Sequence, residues 1–166
     1  FYEYLNYIED KSTRATKLKK DLESLEGKAK DKSQEELLAI DKEVTSYKKN
    51  FISLHPDLFI SKVFQTSEEP DVPEYEEIKD EDERRQKRYL EFKRQYLANT
   101  DLTDERLLRT PVLHNKLVYY VTKLTPQIPD SINAAADMLA EKARPNKEVF
   151  KYVVHTITTK YENSQI

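Results

Sequence analysis

The sequence of 166 residues contains a single glycine, Gly27. β-Sandwiches and β-barrels join many short strands by tight turns, and those turns need residues that tolerate a positive φ, above all glycine. A chain with one glycine and seven prolines is unsuited to either fold. Its apolar residues recur at steps of three and four, which is the helical spacing. The sequence therefore predicts an all-α structure.

Composition limits the kind of function more than it identifies one. Apolar residues make up 37% of the chain and charged residues 36%, against norms of roughly 45–50% and 25%, so much of the helix surface should be solvated. The net charge of −3 is too small to indicate a polyanion as partner. The absence of cysteine excludes a disulfide scaffold, a thiolate metal site and a thiol nucleophile.

Two apolar seams at the start of the chain predict an antiparallel helical hairpin. The first seam is Phe1, Tyr4, Ile8, Lys11, Ala15, Leu18, Leu22 and Leu25. The second is Leu37, Ile40, Val44, Tyr47, Phe51 and Leu54. We expect Gly27 just past the end of the first helix, and Ser33 with Glu36 as a capping box that opens the second. Packing within the chain is favoured over an intermolecular coiled coil, although the spacing alone does not separate them.

Proline positions indicate where the chain divides. His55-Pro56 ends the second helix, and Asp57 is expected to cap a short third one. Residues 68–79 are rich in proline and acid and show no periodicity, as in an exposed loop. The predicted organisation is a hairpin plus short helix over 1–67, a loop over 68–79 and a helical bundle over 80–166. Packing of 1–67 and 80–166 as one domain remains an alternative.

A block of acids followed by a block of bases opens the 80–166 segment. The basic run that begins at Arg84 has two interpretations, a patch for nucleic acid or anionic lipid, or a solvated helix that balances its own charge. The solvated helix is favoured, and no nucleic-acid partner is expected, because acids are followed by bases four residues later, within ion-pairing distance on a helix. These pairs are Asp80–Arg84, Glu81–Arg85 and Glu83–Lys87. Its predicted buried face is Tyr89, Phe92 and Tyr96.

The stretch from Asp101 to Tyr120 contains two helix starts. Asp101 or Thr103 is expected to cap a short helix, and Thr110 is expected to cap the next one with Pro111 at its first position. The predicted buried stripe of that helix is Leu113, Leu117, Tyr120, Val121 and Leu124.

Two further helices complete an up-and-down bundle or superhelical array. Asp130 is expected to cap the first of them, and Arg144-Pro145 separates it from the second. The apolar side of the first is Ile132, Ala135, Ala136, Leu139 and Ala143. That of the second is Val149, Phe150, Val153, Val154, Ile157 and Tyr161.

The residues assemble no recognisable reactive site. His55, His114 and His155 each lack a second histidine three to five positions away, so the zinc-helix motif is absent. One glycine cannot form a glycine-rich phosphate loop or a Gly-flanked serine nucleophile. We therefore predict no catalytic, cofactor-binding or metal-binding residue and expect this chain not to be an enzyme by itself.

The stretch Asp101–Tyr120, with Pro129-Asp130-Ser131 and Tyr161-Glu162-Asn163-Ser164, resembles a helical segment upstream of a thioredoxin-like domain in envelope proteins of Gram-negative gut anaerobes. Asp41–Val44, Tyr47-Lys48 and His55-Pro56-Asp57 are similar to the helical hairpin of the same group. Those proteins are described as thiol-disulfide isomerases or oxidoreductases. Their redox chemistry belongs to paired cysteines in the following domain, and this chain has none.

The resemblance implies a function and a location. The residues that match the group, with an expected structural role, are Asp101, Leu107, Leu108, Arg109, Thr110, Pro111, Tyr120, Pro129 and Asp130. The implied function is a non-catalytic domain that positions the redox domain downstream or contacts its clients. The implied location is the periplasm of the cell envelope, with any membrane attachment through an N-terminal lipid anchor outside this sequence. Composition equally fits a free-standing helical interaction or scaffold module.

Overall fold

The computed structural model describes residues 2–162 and 164, with side chains from Asn6 onward. Its helices are α1 (Tyr2–Leu22), α2 (Gly27–Leu54), α3 (Phe59–Ser67), α4 (Glu81–Gln95), α5 (Pro111–Thr122), α6 (Pro129–Ala143) and α7 (Lys147–Tyr161), with a short 3₁₀ helix at Glu105–Arg109. The described residues contain no strand, so the all-α prediction is confirmed. None of the described helices combines the length and the apolar composition that crossing a bilayer requires.

Helices α1 and α2 form the predicted antiparallel hairpin. The rings of Tyr7 and Tyr47 stack with centroids 4.4 Å apart, and Lys11 Nζ lies 2.5 Å from a carboxylate oxygen of Glu43. Further along, Arg14 pairs with Glu36. Residue numbers rise on one helix as they fall on the other, which establishes the antiparallel direction. Of the first seam, Phe1 and Tyr4 lie outside the described side chains.

The turn of the hairpin differs from the prediction. Helix α1 ends at Leu22, because the amide and the hydroxyl of Ser24 both donate to the Asp21 carbonyl at 3.0 Å. Gly27 does have a positive φ of 55°, but it is the first residue of α2 and not a residue that closes α1. Ser33 and Glu36 consequently lie inside α2, and the predicted capping box is wrong.

The chain divides into two compact units, the first ending at Pro56 and the second beginning at Asp57. The sequence placed the division in the 68–79 loop, which is irregular as expected. Helix α3 belongs instead to the second unit, because it packs on α5 and buries Phe64. Leu58, and not Asp57, occupies the cap position of α3, and no side chain caps that helix.

The core of the second unit is built on α5, which contacts α3, the 3₁₀ helix, α6 and α7. Its predicted stripe is confirmed, since all five members are buried. The neighbouring helices contribute Leu107, Ala135, Leu139, Ala143, Val149 and Val153. Val154 was predicted to share the apolar side of α7 but is exposed, and Thr156 is buried there instead.

The charged helix α4 is compensated differently from the prediction. None of the three predicted pairs forms. The Asp80 carboxylate accepts the amides of Asp82 and Glu83, both at 2.9 Å, as the helix cap. Arg85 pairs with Asp82 instead, and Lys87 Nζ lies 3.9 Å from a carboxylate oxygen of Glu77. Arg88 reaches back to Glu74 of the preceding loop, at 2.6 Å. The basic side chains are thus partly balanced by the loop that precedes α4. Tyr96 is buried and Phe92 packs on the core, whereas Tyr89 is partly exposed.

Truncating the α5 stripe tests which face of the helix is buried. Leu113→Ala or Leu117→Ala should lower the free energy of unfolding by about 2–5 kcal/mol, because each removes a buried side chain. Arg85→Ala, on the exposed side of α4, should change it by less than about 0.5 kcal/mol. Denaturant melts followed by far-ultraviolet circular dichroism give both values. Equal effects at the leucines and at Arg85 would show that the helix faces are misplaced.

Candidate functional site

The residues that carry the sequence resemblance are divided between the core and the surface. Leu107 and Tyr120 are buried, Leu108 packs against the core and Thr110 is partly buried. Asp101, Arg109, Pro111, Pro129 and Asp130 are exposed. Leu107 to Pro111 form the junction between the 3₁₀ helix and α5, while Pro129 and Asp130 lie in the first turn of α6.

The junction is capped in a different way from the sequence prediction. Helix α5 starts at Pro111 as expected, but the Thr110 hydroxyl donates to the Leu107 carbonyl at 2.8 Å and leaves the start of α5 without a side-chain cap. Asp104 caps the 3₁₀ helix by accepting the Arg106 amide at 3.0 Å. Asp101 instead accepts the Thr103 amide at 2.9 Å, so neither Asp101 nor Thr103 is the cap. At α6, Ile128 holds the cap position that was predicted for Asp130.

A buried lysine near this junction was missed by the sequence analysis. Lys116 of α5 is 5% exposed. Its Nζ donates to the carbonyl of Glu68 at 2.6 Å and to the carbonyl of Tyr96 at 3.3 Å. The same Nζ lies 4.0 Å from the centroid of the Tyr96 ring, within cation–π range. We call Lys116 with these two carbonyl groups and the ring the lysine cluster.

The two carbonyls explain how a positive charge is stabilised there. Glu68 is the residue that ends α3, and Tyr96 is the residue that ends α4. The last carbonyls of a helix lack partners within the helix and carry its partial negative charge. The Lys116 ammonium therefore joins the negative ends of two helices to α5. Burial lowers the pKa of Lys116, and the nearby charges of Glu69 and Glu68 oppose that shift.

A small cavity adjoins the lysine cluster. Its volume is about 210 Å³. It is lined by Ser67, Glu69, Tyr96, Val112, Asn115 and Lys116. A lysine that acts as a nucleophile needs a neutral amine, which desolvation favours. Here the amine is already the donor in hydrogen bonds to two main-chain carbonyls, so the geometry favours a structural cation over a reactive amine.

One signal in the sequence did point to Lys116. It lies three residues after Leu113 and four before Tyr120, which is the spacing of the buried stripe itself. A lysine at such a position needs a partner that the sequence does not name. Here the partners are main-chain oxygens 48 and 20 residues away along the chain.

Tyrosine rings surround the lysine cluster. The Tyr96 ring stacks on Tyr119 and Tyr120, with centroid distances of 5.4 and 6.4 Å. Burial raises the pKa of Tyr96 to about 12 and also raises that of Tyr120. On the neighbouring surface, His114 Nδ1 lies 2.9 Å from the Tyr152 hydroxyl.

Neither a metal-binding group of side chains nor a comparison with known proteins gives these residues a chemical role. Among the described residues, no three histidine, aspartate or glutamate side chains are grouped so as to hold a metal ion. No family model, curated protein or solved structure matches the chain. Lys116 is the only charged side chain that is buried among the described residues.

Replacing the buried ammonium tests the lysine cluster. Lys116→Met keeps a long side chain but removes the donor from the Glu68 and Tyr96 carbonyls. Leaving buried acceptors unpaired should lower the free energy of unfolding by about 1–3 kcal/mol. Lys123→Met, at an exposed lysine, is the matched control and should have little effect. A denaturant melt of Lys116→Met that coincides with those of the parent and of Lys123→Met would contradict a stabilising cluster.

The raised pKa of Tyr96 predicts a loss of stability at alkaline pH. Between pH 10 and about 12 the folded protein keeps a proton on Tyr96 that the unfolded chain has lost. The free energy of unfolding should therefore fall as pH rises through this window. The free energy of unfolding of Tyr96→Phe should fall less over this pH range than that of the parent protein. Tyr119→Phe, which changes an exposed tyrosine, is the control and should show the same fall as the parent. Parallel curves of stability against pH for the parent and Tyr96→Phe would show that Tyr96 does not cause the loss of stability at alkaline pH.

Proposed function

We propose that this chain is a non-catalytic helical module that positions a neighbouring thioredoxin-like domain of the same polypeptide or contacts the protein clients of that domain. The neighbour and a location in the cell envelope come from the sequence resemblance. The chain has no cysteine and cannot supply the thiolate that attacks a disulfide. Any disulfide exchange would therefore take place on the neighbouring domain.

The lysine cluster is the observation that carries the non-catalytic part of the proposal. Burial favours the neutral amine that a nucleophilic lysine needs, and Lys116 is a buried lysine. Its Nζ, however, donates to the carbonyls at the ends of α3 and α4. Its geometry supports a role in fixing three helices relative to one another. A fixed arrangement is what a positioning element needs, because orientation is lost when the element itself moves.

The hairpin supports the contacting part of the proposal. Leu38 is 61% exposed, and Leu54, which was predicted to belong to the packed seam of α2, is 65% exposed. Large apolar side chains that remain in water are available to a protein partner. The same observation favours the second candidate function, a free-standing interaction or scaffold module without a redox neighbour.

The proposal predicts that the isolated chain neither reduces insulin nor reactivates scrambled ribonuclease. Without a thiolate there is no group to attack either disulfide. Turbidity in the insulin assay and recovered ribonuclease activity are the measurements, with a thioredoxin as positive control. Activity of the cysteine-free chain above the buffer blank would overturn the proposal.

A deletion separates positioning from catalysis. In a polypeptide that carries a thioredoxin-like domain after this chain, removing the helical part should leave turnover of a small-molecule disulfide unchanged. Turnover of a protein client should fall or the melting temperature should shift, because remote surfaces contribute binding and orientation. Unchanged client turnover together with unchanged melting would reduce the helical part to a spacer. A reading frame that ends without a Cys-x-x-Cys motif would favour the free-standing module.

A further inference from the structure

We propose that residues 74–77 form an autoinhibitory strap, which covers a basic face of α4 until an acidic, aromatic segment of a partner protein takes its place. We call residues 74–77 the acidic strap. Arg84, Lys87 and Arg88 lie three and four residues apart on α4 and share one side of it, which we call the basic face. The function proposed above makes no use of this surface.

The acidic strap is held to the basic face by charge and by one aromatic ring. Arg88 Nη1 lies 2.6 Å from a carboxylate oxygen of Glu74. Lys87 Nζ lies 4.2 Å from the centroid of the Tyr75 ring, within cation–π range, and 3.9 Å from a carboxylate oxygen of Glu77. The chain therefore supplies its own example of a ligand for this face, with an acid, an aromatic ring and a second acid within four residues.

The contacts that hold the acidic strap are weak. The four side chains of the two ion pairs are between 43% and 68% exposed, so water and salt screen their charges. An open cavity of about 520 Å³ is lined both by strap residues and by Arg84 and Arg88. The strap therefore does not pack closely on the basic face, and lifting it breaks few strong interactions.

The backbone of the acidic strap is strained. Tyr75 has a φ of 53° and is the one non-glycine residue with a positive φ in the part of the chain that the structure describes. The left-handed region is unfavourable for such a residue, because its Cβ comes close to the following carbonyl oxygen. A segment of another protein that presents the same side chains from an extended backbone would make these contacts without that strain.

The acidic strap also leaves a donor of the basic face without a partner. Arg88 Nε is buried and has no hydrogen bond, although Nη1 of the same guanidinium pairs with Glu74. A carboxylate that approaches from the Nε side can accept two parallel hydrogen bonds, which is the arrangement that arginine favours. An incoming acid would therefore satisfy a donor that the strap does not.

The surroundings of the basic face favour a protein segment over a nucleic acid or a membrane. Glu76 and Glu81 line the same cavity as Arg84 and Arg88, and they would repel a ligand with a charge on every unit. A protein segment can place its acids opposite the bases alone. The contact between Lys87 and the Tyr75 ring adds a preference for an aromatic side chain, which a lipid headgroup lacks.

Exchange of the Ile78 amide measures how often the acidic strap opens. This amide donates to the Tyr75 carbonyl at 3.0 Å and so depends on the turn of the strap. Glu74→Gln should raise its exchange rate at least about fivefold, and added salt should raise the rate in the parent. Glu76→Gln removes the same charge from an exposed strap residue outside the two ion pairs. This control should leave the rate within about twofold of the parent.

A peptide that copies residues 71–79 tests whether another segment can replace the acidic strap, with the full 166-residue chain as its receptor. In the double variant Glu74→Gln with Glu77→Gln, we expect the peptide to shift the amide resonances of the basic face saturably in an NMR titration. The dissociation constant should be at least about tenfold higher for the parent, because its face is uncovered only part of the time. The same peptide with glutamine in place of its glutamates should cause no saturable shift.

A matched pair of substitutions in the double variant locates the binding. Lys87→Glu should weaken binding of the peptide at least about tenfold, because it replaces an attraction with a repulsion. Lys142→Glu makes the same change at an exposed lysine of α6 and should alter the dissociation constant by less than about twofold. Both lysines are exposed, so each variant should keep its helical circular dichroism.

Several outcomes would overturn the proposal. They are equal binding of the peptide by the parent and the double variant, no binding by either, or equal Ile78 exchange in Glu74→Gln and Glu76→Gln. An oligonucleotide or an anionic vesicle that shifts the same resonances at a lower concentration than the peptide would identify another class of partner. Sedimentation as a dimer that Lys87→Glu dissociates would identify a second copy of this chain as the occupant. None of these measurements involves a redox domain, so their failure is distinct from failure of the function proposed above.

Discussion

A single buried ammonium group joins three helices of the second unit. Lys116 donates to the carbonyls that end α3 and α4, and it does so from the helix that carries the core stripe. A charge at this depth is costly unless it is paired, and an unpaired helix end is also costly when it is buried. The ammonium and the two helix ends supply each other's hydrogen-bond partners, so three helices that are distant in sequence are fixed together at one point.

The hairpin is stabilised in another way. Contacts between its described residues include a stacked tyrosine pair and ion pairs between Lys11 and Glu43 and between Arg14 and Glu36. Ion pairs on an exposed surface contribute little, because water and salt screen the two charges. Among its described residues only Ile40 is a buried apolar side chain.

Sequence periodicity predicted the helices well, whereas the caps and the lysine cluster depended on tertiary structure. The Leu113 to Leu124 stripe follows from local spacing, and each of its members is buried. Thr110 occupies the cap position of α5 as predicted, but its hydroxyl donates to the Leu107 carbonyl instead of accepting an amide of α5. Lys116 could be suspected from its position on the stripe, but its partners are main-chain atoms far along the chain.

Hydrogen exchange measured residue by residue in Lys116→Met tests the central role of the ammonium most directly. If Lys116 holds the ends of α3 and α4, its loss should accelerate exchange of amides in the last turns of those two helices, through local opening. The protection of amides in the middle of α6 should keep the same ratio to that of amides in the middle of α7 as in the parent protein. Uniform acceleration throughout the second unit, or no change at the ends of α3 and α4, would contradict the claim that this ammonium fixes them.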